Sequence, residues 1–252
     1  MKFSICIESI FESFPFEGRV KLVHEIGFNT IELWDPSIKD LDKLKEECIK
    51  YNVSVALCAL KANKRLNTET KDFINNFEES IPLVKKINCK KVICLTGEIE
   101  KGKTIEEQKS RIITNLKAAA KISEREDINI VLESLNSYVD HKDYFLDSSK
   151  LGFEIIKEVN HDRVKFLYDI YHMQIMEGNI ISTIKNNINL IGHFHSAGIP
   201  GRHEHYIGEL NYHGIINAIK ETAYKGYFGL EYWPSIDNVK SLQEVVKYLG
   251  IQ

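Results

Sequence analysis

The sequence predicts a single (β/α)8 barrel spanning residues 1–252, and three observations carry that expectation. The chain has 252 residues, close to the roughly 250 that eight βα units occupy. Short apolar runs alternate eight times with longer amphipathic stretches, and alternation of that kind gives a parallel sheet. Nothing is left over: no linker or low-complexity tract interrupts the series. No Gly-x-Gly-x-x-Gly follows the first strand either, so a closed barrel fits better than an open doubly wound sheet.

In chain order, Phe3–Ile7 reads as the first strand and Glu17–Ile26 as a helix stopped by Gly27. Thr30–Leu33 is the second strand, followed by a helix over 41–51. Val53–Cys58 is the third, with its helix over 70–87. Lys91–Leu95 is the fourth, and Thr104 caps a long helix over 105–125. Asn129–Glu133 with a helix over 149–159 makes the fifth unit, and Val164–Asp169 with a helix over 180–187 the sixth. Leu190–His195 with 212–224 and Tyr227–Glu231 with 239–249 complete the series. Two connections, 134–148 and 196–211, exceed the two to six residues usual for βα loops. Both leave the carboxyl ends of strands, the face on which barrels carry their sites.

Composition narrows the function classes. The chain is 43% hydrophobic and 27% charged, an ordinary globular balance. Its net charge of −3, with both signs interspersed, argues against nucleic acid or an anionic membrane as a partner. No run approaches the roughly 18 apolar residues of a membrane helix, and the N-terminal segment meets Glu8 too early for a secretory signal. The five cysteines show no C-x-x-C spacing, and Cys6, Cys58 and Cys94 sit inside apolar runs. They read as buried thiols in a reducing compartment, so a cytoplasmic location is expected.

Four of the apolar runs end in a ligand-type side chain: Glu133, Asp169, His195 and Glu231. In a parallel barrel these ends share one rim, so residues distant in sequence converge. An acid closing a buried strand is costly unless it is neutralised, and three clustered carboxylates raise one another's pKa. One divalent cation resolves both problems. Three oxygen ligands and one imidazole suit Mn²⁺ or Mg²⁺ and accommodate Co²⁺. Singly, each residue has a plainer reading: a strand-end acid as a helix N-cap, His195 as a hydrogen-bonded loop histidine. Their occurrence on four consecutive strands is what those plainer readings leave unexplained.

Six of the nine histidines (His172, His193, His195, His203, His205 and His213) lie at or after the sixth strand. His193, two residues before His195, points to the same side one layer deeper and reads as core or support for a ligand. His203 and His205 flank Glu204 in the second long loop and are expected to miss the substrate more often than touch it. His24 and His161 read as solvated. Arg202 follows the Pro200-Gly201 turn, which would hold a planar guanidinium over the rim; an ion pair with Glu204 or Glu209 is an equal alternative. Trp34 and Trp233 each follow a strand and form either apolar walls or ordinary packing, the latter slightly favoured for Trp34.

At these residues the chain resembles a known family. Leu-Glu133-Ser-Leu-Asn136, Tyr-Asp169-Ile-Tyr-His172-Met-Gln174 and Glu177-Gly178-Asn179 are similar to hydroxypyruvate isomerases of the xylose-isomerase-like barrels. Pro200-Gly201-Arg202-His-Glu204, Gly208-Glu209-Leu-Asn211-Tyr212 and Gly229-Leu-Glu231-Tyr-Trp-Pro234 continue the likeness. It implies metal ligands at Glu133, Asp169, His195 and Glu231 and substrate contacts at His172 and Arg202, and it makes a homodimer or homotetramer the expected assembly. Two departures stand out: His195 occupies a position that is often Gln in hydroxypyruvate isomerases, and the connection from Ala59 to Asn67 looks short.

The expected chemistry is isomerisation of a small α-hydroxy carbonyl compound, hydroxypyruvate or a related 2-oxo acid or sugar, through an enediolate. Glu133 and Glu231 would move the proton. Return of the proton to the opposite face of the same carbon would instead make the protein a ketose 3-epimerase. Loss of water would make it an inosose-type dehydratase. An abasic-site nuclease is disfavoured because strands one to four lack the histidine array of a zinc cluster. A non-catalytic sugar-binding protein would bind without exchanging the α-proton.

Overall fold

A computed structural model describes residues 1–61 and 65–251. The connection from Ala59 to Asn67 passes through 62–64, so its length relative to other family members lies outside the described residues. Eight parallel strands close into a barrel in sequence order: β1 (Lys2–Cys6), β2 (Thr30–Leu33), β3 (Ser54–Ala59), β4 (Lys91–Leu95), β5 (Asn129–Glu133), β6 (Val164–Asp169), β7 (Ile191–Ser196) and β8 (Tyr227–Leu230). The seam is the β1–β8 pairing, with Phe3 opposite Phe228 and Ile5 opposite Leu230.

Around this barrel run α1 (Arg19–Glu25), α2 (Leu41–Lys50), α3 (Thr70–Lys86), α4 (Ile105–Glu126), α5 (Ser149–Val159), α6 (Ile170–Met176), α7 (Ile180–Asn187), α8 (Tyr212–Lys220) and α9 (Asn238–Leu249). Six of these, α2, α4, α5, α6, α8 and α9, start at short polar side chains that accept from otherwise unpaired backbone N–H groups. Asp40 accepts from Lys43 and Asp237 from Lys240. Thr104 and Glu107 form the reciprocal capping box of the 22-residue α4.

The eight expected units are all present, with local differences. The sequence reading gives the sixth strand one helix, whereas two follow it. α6 is only seven residues long and begins directly at Asp169, too short for its apolar spacing to stand out. α8 stops at Lys220, short of Tyr224, where the Thr222 hydroxyl donates to the Ile219 carbonyl at 2.6 Å.

Inside the barrel, every second residue of a strand points to the axis. Leu57, Ile93, Val131 and Leu167, from β3 to β6, form an apolar interior cluster separate from the larger core beneath the helices. The side built by β1, β2 and β7 is polar instead: Ser4, Glu32 and His193 are all buried there. One step along each strand toward the carboxyl ends, the same alternation delivers Glu133, Asp169, His195 and Glu231 to the mouth. β7 reaches this parity through a register shift against β6: Ile191 faces Phe166, but His193 faces Leu167 and His195 faces Asp169.

The approach of α5 to β6 depends on Gly152. A Cβ there would lie 2.2 Å from Phe166 Cε2, and that ring is fully buried and packed 4.9 Å from Phe153. Gly152→Ala is therefore expected to lower stability by about 1–2 kcal/mol, overpacking outweighing the roughly 1 kcal/mol helix gain of alanine. A reduced urea midpoint at unchanged slope would record this; an unchanged midpoint would mean that α5 can shift freely on the sheet.

Candidate active site

The rim places the four expected ligands together. Glu133 and Asp169 are the last residues of β5 and β6, His195 is the penultimate residue of β7, and Glu231 directly follows β8. One ligand atom from each lies within 4.8 Å of the others, and none of the four is more than 6% exposed. His195 turns Nδ1 toward this cluster, 3.2 Å from Glu133 Oε1 and 3.4 Å from Glu231 Oε2.

Asp169 divides its two oxygens between a helix cap and the cluster. Its Oδ1 caps α6, accepting from the N–H groups of Tyr171 (2.8 Å) and His172 (3.2 Å). Its Oδ2 faces the cluster, 3.5 Å from both His172 Nε2 and Arg202 Nη2. The cap therefore fixes the rotamer of a prospective ligand.

His172 is oriented from behind. Its Nδ1 accepts from the Asn136 backbone N–H at 3.1 Å, with the Asn136 amide nitrogen 2.7 Å away. The Asn136 side-chain Oδ1 in turn accepts from the N–H groups of Val139 and Asp140, holding the loop after β5. Nε2 must then carry the hydrogen, and it is buried without a hydrogen-bond partner among the described residues. Burial, reinforced by Arg202, holds this imidazole well below its usual pKa, so it is a neutral donor aimed into the cavity.

Arg202 sits in a left-handed backbone conformation (φ 58°) and stacks over Tyr171 and Trp233, 5.2 and 4.9 Å from the ring centres. Its Nη2 donates to Glu231 Oε2 at 2.5 Å. It reaches onto the carboxylate cluster itself, deeper than the outer rim. Glu204, the alternative partner, turns away and accepts from the Ser235 backbone, the Ser235 hydroxyl and Ser241.

These neighbours separate the carboxylates electrostatically. Burial pushes Asp169 up to about 7, against the opposing pull of Arg202 and His195. Burial also raises Glu133, outweighing its hydrogen bond to His195. At Glu231 the effect of burial is overcome by His195 and Arg202, and the carboxyl is held well below its ordinary range. At His195 burial is likewise overcome, by Glu231 and Glu32, and its pKa rises. Three buried carboxylates with converging oxygens and one imidazole lone pair form a hard donor set, and this set fits a single divalent cation of the Mn²⁺ or Mg²⁺ type.

Above the cluster lies a cavity of about 440 Å³ whose walls include Trp34, Leu95, His141, His172, Arg202 and Trp233. The two tryptophan rings are 6.0 Å apart. Trp34 does more than the packing expected of it, since its indole N–H donates to Glu231 Oε1 at 2.9 Å. His203 and His205 stay out of the cavity: His203 bonds the Trp233 carbonyl, and His205 is buried against Ser196. His193 lies in the barrel core, His24 is exposed and His161 half-buried.

Sequence reasoning passes over two residues. His141 lines the cavity 5.4 Å from the His172 ring, from a loop with no periodicity to mark it. Glu32, buried in the middle of β2, accepts from both His193 (2.7 Å) and His195 (2.8 Å). Its signal is present in Thr-Ile-Glu-Leu, a carboxylate inside an apolar run rather than at its end. All five cysteines are free, as expected, and four are buried. Among the described residues no helix is long and apolar enough to cross a membrane.

Comparison with known proteins shows the family and the fold. The family profile described as xylose isomerase-like TIM barrel matches residues 20–249. A putative hydroxypyruvate isomerase of Xenopus laevis is 30% identical over 99% of this chain and 96% of that protein. The hydroxypyruvate isomerase of Escherichia coli K12 is 27% identical over 98% of this chain and 99% of its own. Among solved structures, a family 2 AP endonuclease from Brucella melitensis superposes with a TM-score of 0.91 at 24% identity, covering 98% of both chains; at that identity it speaks for the fold alone. The chain belongs to the xylose isomerase-like TIM barrel family, among the relatives of hydroxypyruvate isomerase.

Proposed function

We propose that this chain is a divalent-cation-dependent isomerase of a small α-hydroxy carbonyl compound, hydroxypyruvate or a related 2-oxo acid or sugar. The observation that carries the reading is the buried convergence of Glu133, Asp169, His195 and Glu231 within 4.8 Å beneath a cavity of substrate size. The similarity to hydroxypyruvate isomerases along nearly the whole chain supports it.

A divalent cation held by these four side chains would polarise a carbonyl and offset the charge that grows as a proton leaves the neighbouring carbon. The protein's own residues do the rest. His172, neutral and with a free Nε2–H, donates to a substrate oxygen. Arg202, pinned over Tyr171 and Trp233, presents a guanidinium to the oxygen-bearing end of the substrate. Trp34 and Trp233 wall off water, and the Trp34 indole fixes the Glu231 carboxylate. One of Glu133 and Glu231 takes the proton, and the other, or the same one, returns it to the adjacent carbon.

Proton NMR in D₂O with hydroxypyruvate, oxo-tetronates and ketoses, with Mn²⁺ or Mg²⁺ added, is expected to show solvent deuterium entering at the carbon next to the carbonyl. Appearance of an inverted centre identifies an epimerase instead, and ultraviolet absorbance of an enone identifies a dehydratase. Glu231→Gln should reduce exchange by about 10²–10⁴-fold or more while the protein stays folded; exchange at the wild-type rate in that variant would refute the proton-transfer scheme.

Cation uptake should also be coupled to protons. Below pH 7 Asp169 holds a proton that the cation must displace, and the raised His195 holds another at Nδ1. Mn²⁺ affinity is therefore expected to rise with pH, with more protons released per ion at pH 6 than at pH 8. Calorimetry in buffers of different ionisation enthalpy measures this directly. Proton-neutral uptake across that range would exclude these groups as the ligands.

A further inference from the structure

We infer that Glu32 is a positioning residue: from the middle of β2 it fixes the ring of His195 so that Nδ1 is the atom offered to the cation. The inference rests on the cation-dependent reading above and extends it to a carboxylate outside the ligand set.

The geometry is a continuous line through the barrel core. His195 points Nδ1 at Glu133 and Glu231, while its Nε2 lies 2.8 Å from Glu32 Oε2. A carboxylate on Nε2 demands a hydrogen there, which leaves the Nδ1 lone pair free for a cation. Such outer partners set the tautomer and orientation of metal-binding histidines. Glu32 Oε1 is itself held, accepting from the Ser4 hydroxyl and from His193 Nε2 at 2.7 Å. His193 Nδ1 lies 3.5 Å from the Lys91 ammonium, which donates to the Gly192 carbonyl at 2.7 Å. The negative charge of Glu32 is thus balanced inside the barrel, with Lys91 as counter-charge across the His193 ring.

A second observation, independent of the hydrogen bonds, comes from the backbone. A Cβ at Gly229 would lie 2.8 Å from both Glu32 Oε1 and His195 Cδ2. β8 therefore gives up a side chain at the position where the carboxylate and the imidazole meet. Glu32, His193 and His195 also form a compact trio of ligand-type side chains. The 2.7 and 2.8 Å separations assign it instead to hydrogen bonds, since both rings address the two oxygens of a single carboxylate.

The test uses the full chain and Mn²⁺ alone. Glu32→Gln keeps the shape but cannot accept from both rings, because an amide offers only one oxygen. Its dissociation constant for Mn²⁺, read by electron paramagnetic resonance of the free ion, is expected to rise about 10–100-fold, with a circular dichroism spectrum like that of the wild type. In ¹⁵N spectra of Mg²⁺-loaded protein, the wild-type His195 should carry its hydrogen on Nε2 alone, and the variant should show a second tautomer. Should Glu32→Gln not fold, Glu32→Asp keeps the charge but withdraws it by one methylene, and the same weakening is expected. Tight Mn²⁺ binding by wild type with an unchanged constant and tautomer in the folded variant would overturn the inference while leaving the cation reading intact. Absence of Mn²⁺ uptake by the wild type would overturn both.

Discussion

The charge balance at the barrel mouth is the constraint on which the rest of the site depends. Three carboxylates occupy a space of a few ångströms with almost no access to water. Left alone, their mutual repulsion and desolvation would drive protons onto them. The chain meets this partly with its own cations, Arg202 from one side and the His195 ring from another, and these hold Glu231 ionised while Asp169 and Glu133 remain easily protonated. A set balanced in this way retains a capacity for further positive charge. The cavity above it is flanked by two tryptophans whose rings are 6.0 Å apart.

Precision at the mouth is built from local backbone economy rather than from additional charges. Asp169 is held because the first N–H groups of α6 need an acceptor, so helix initiation and the placement of a rim oxygen share one carboxylate. His172 is held because Asn136 organises the loop after β5 and spends its backbone N–H on the imidazole. Glu231 is held by an indole from the loop after β2 and a guanidinium from the loop after β7. Each of these side chains is therefore fixed by a different βα unit, and the barrel registers those units against one another.

Much of this was legible in the sequence. The eight units and the convergence of four side chains on one rim could be read because period-two alternation and a polar residue closing an apolar run are local signals. Arg202 could be placed over the rim from its Pro-Gly turn, but its choice of Glu231 over Glu204 depends on where two loops pack, which no spacing encodes. α6 was hidden by its brevity. Glu32 was hidden by position: an acid in mid-strand looks like an exception to a core pattern until its partners, His193 and His195, are brought across the barrel. Trp34 was undervalued for the same reason, since its acceptor lies 197 residues away.

The interior of the barrel is lopsided, apolar where β3 to β6 meet and polar where β1, β2 and β7 meet. Two of the three hydrogen-bond donors to the Glu32 carboxylate come from β7, more than 160 residues further along the chain. A ribosome-bound fragment holding only the first four strands leaves that carboxylate facing water, and burying it before the β7 donors arrive would be costly. Partial barrels are thereby discouraged. The early half of the chain gains little by settling into its final form before the late half arrives, and ring closure takes on the character of one concerted event.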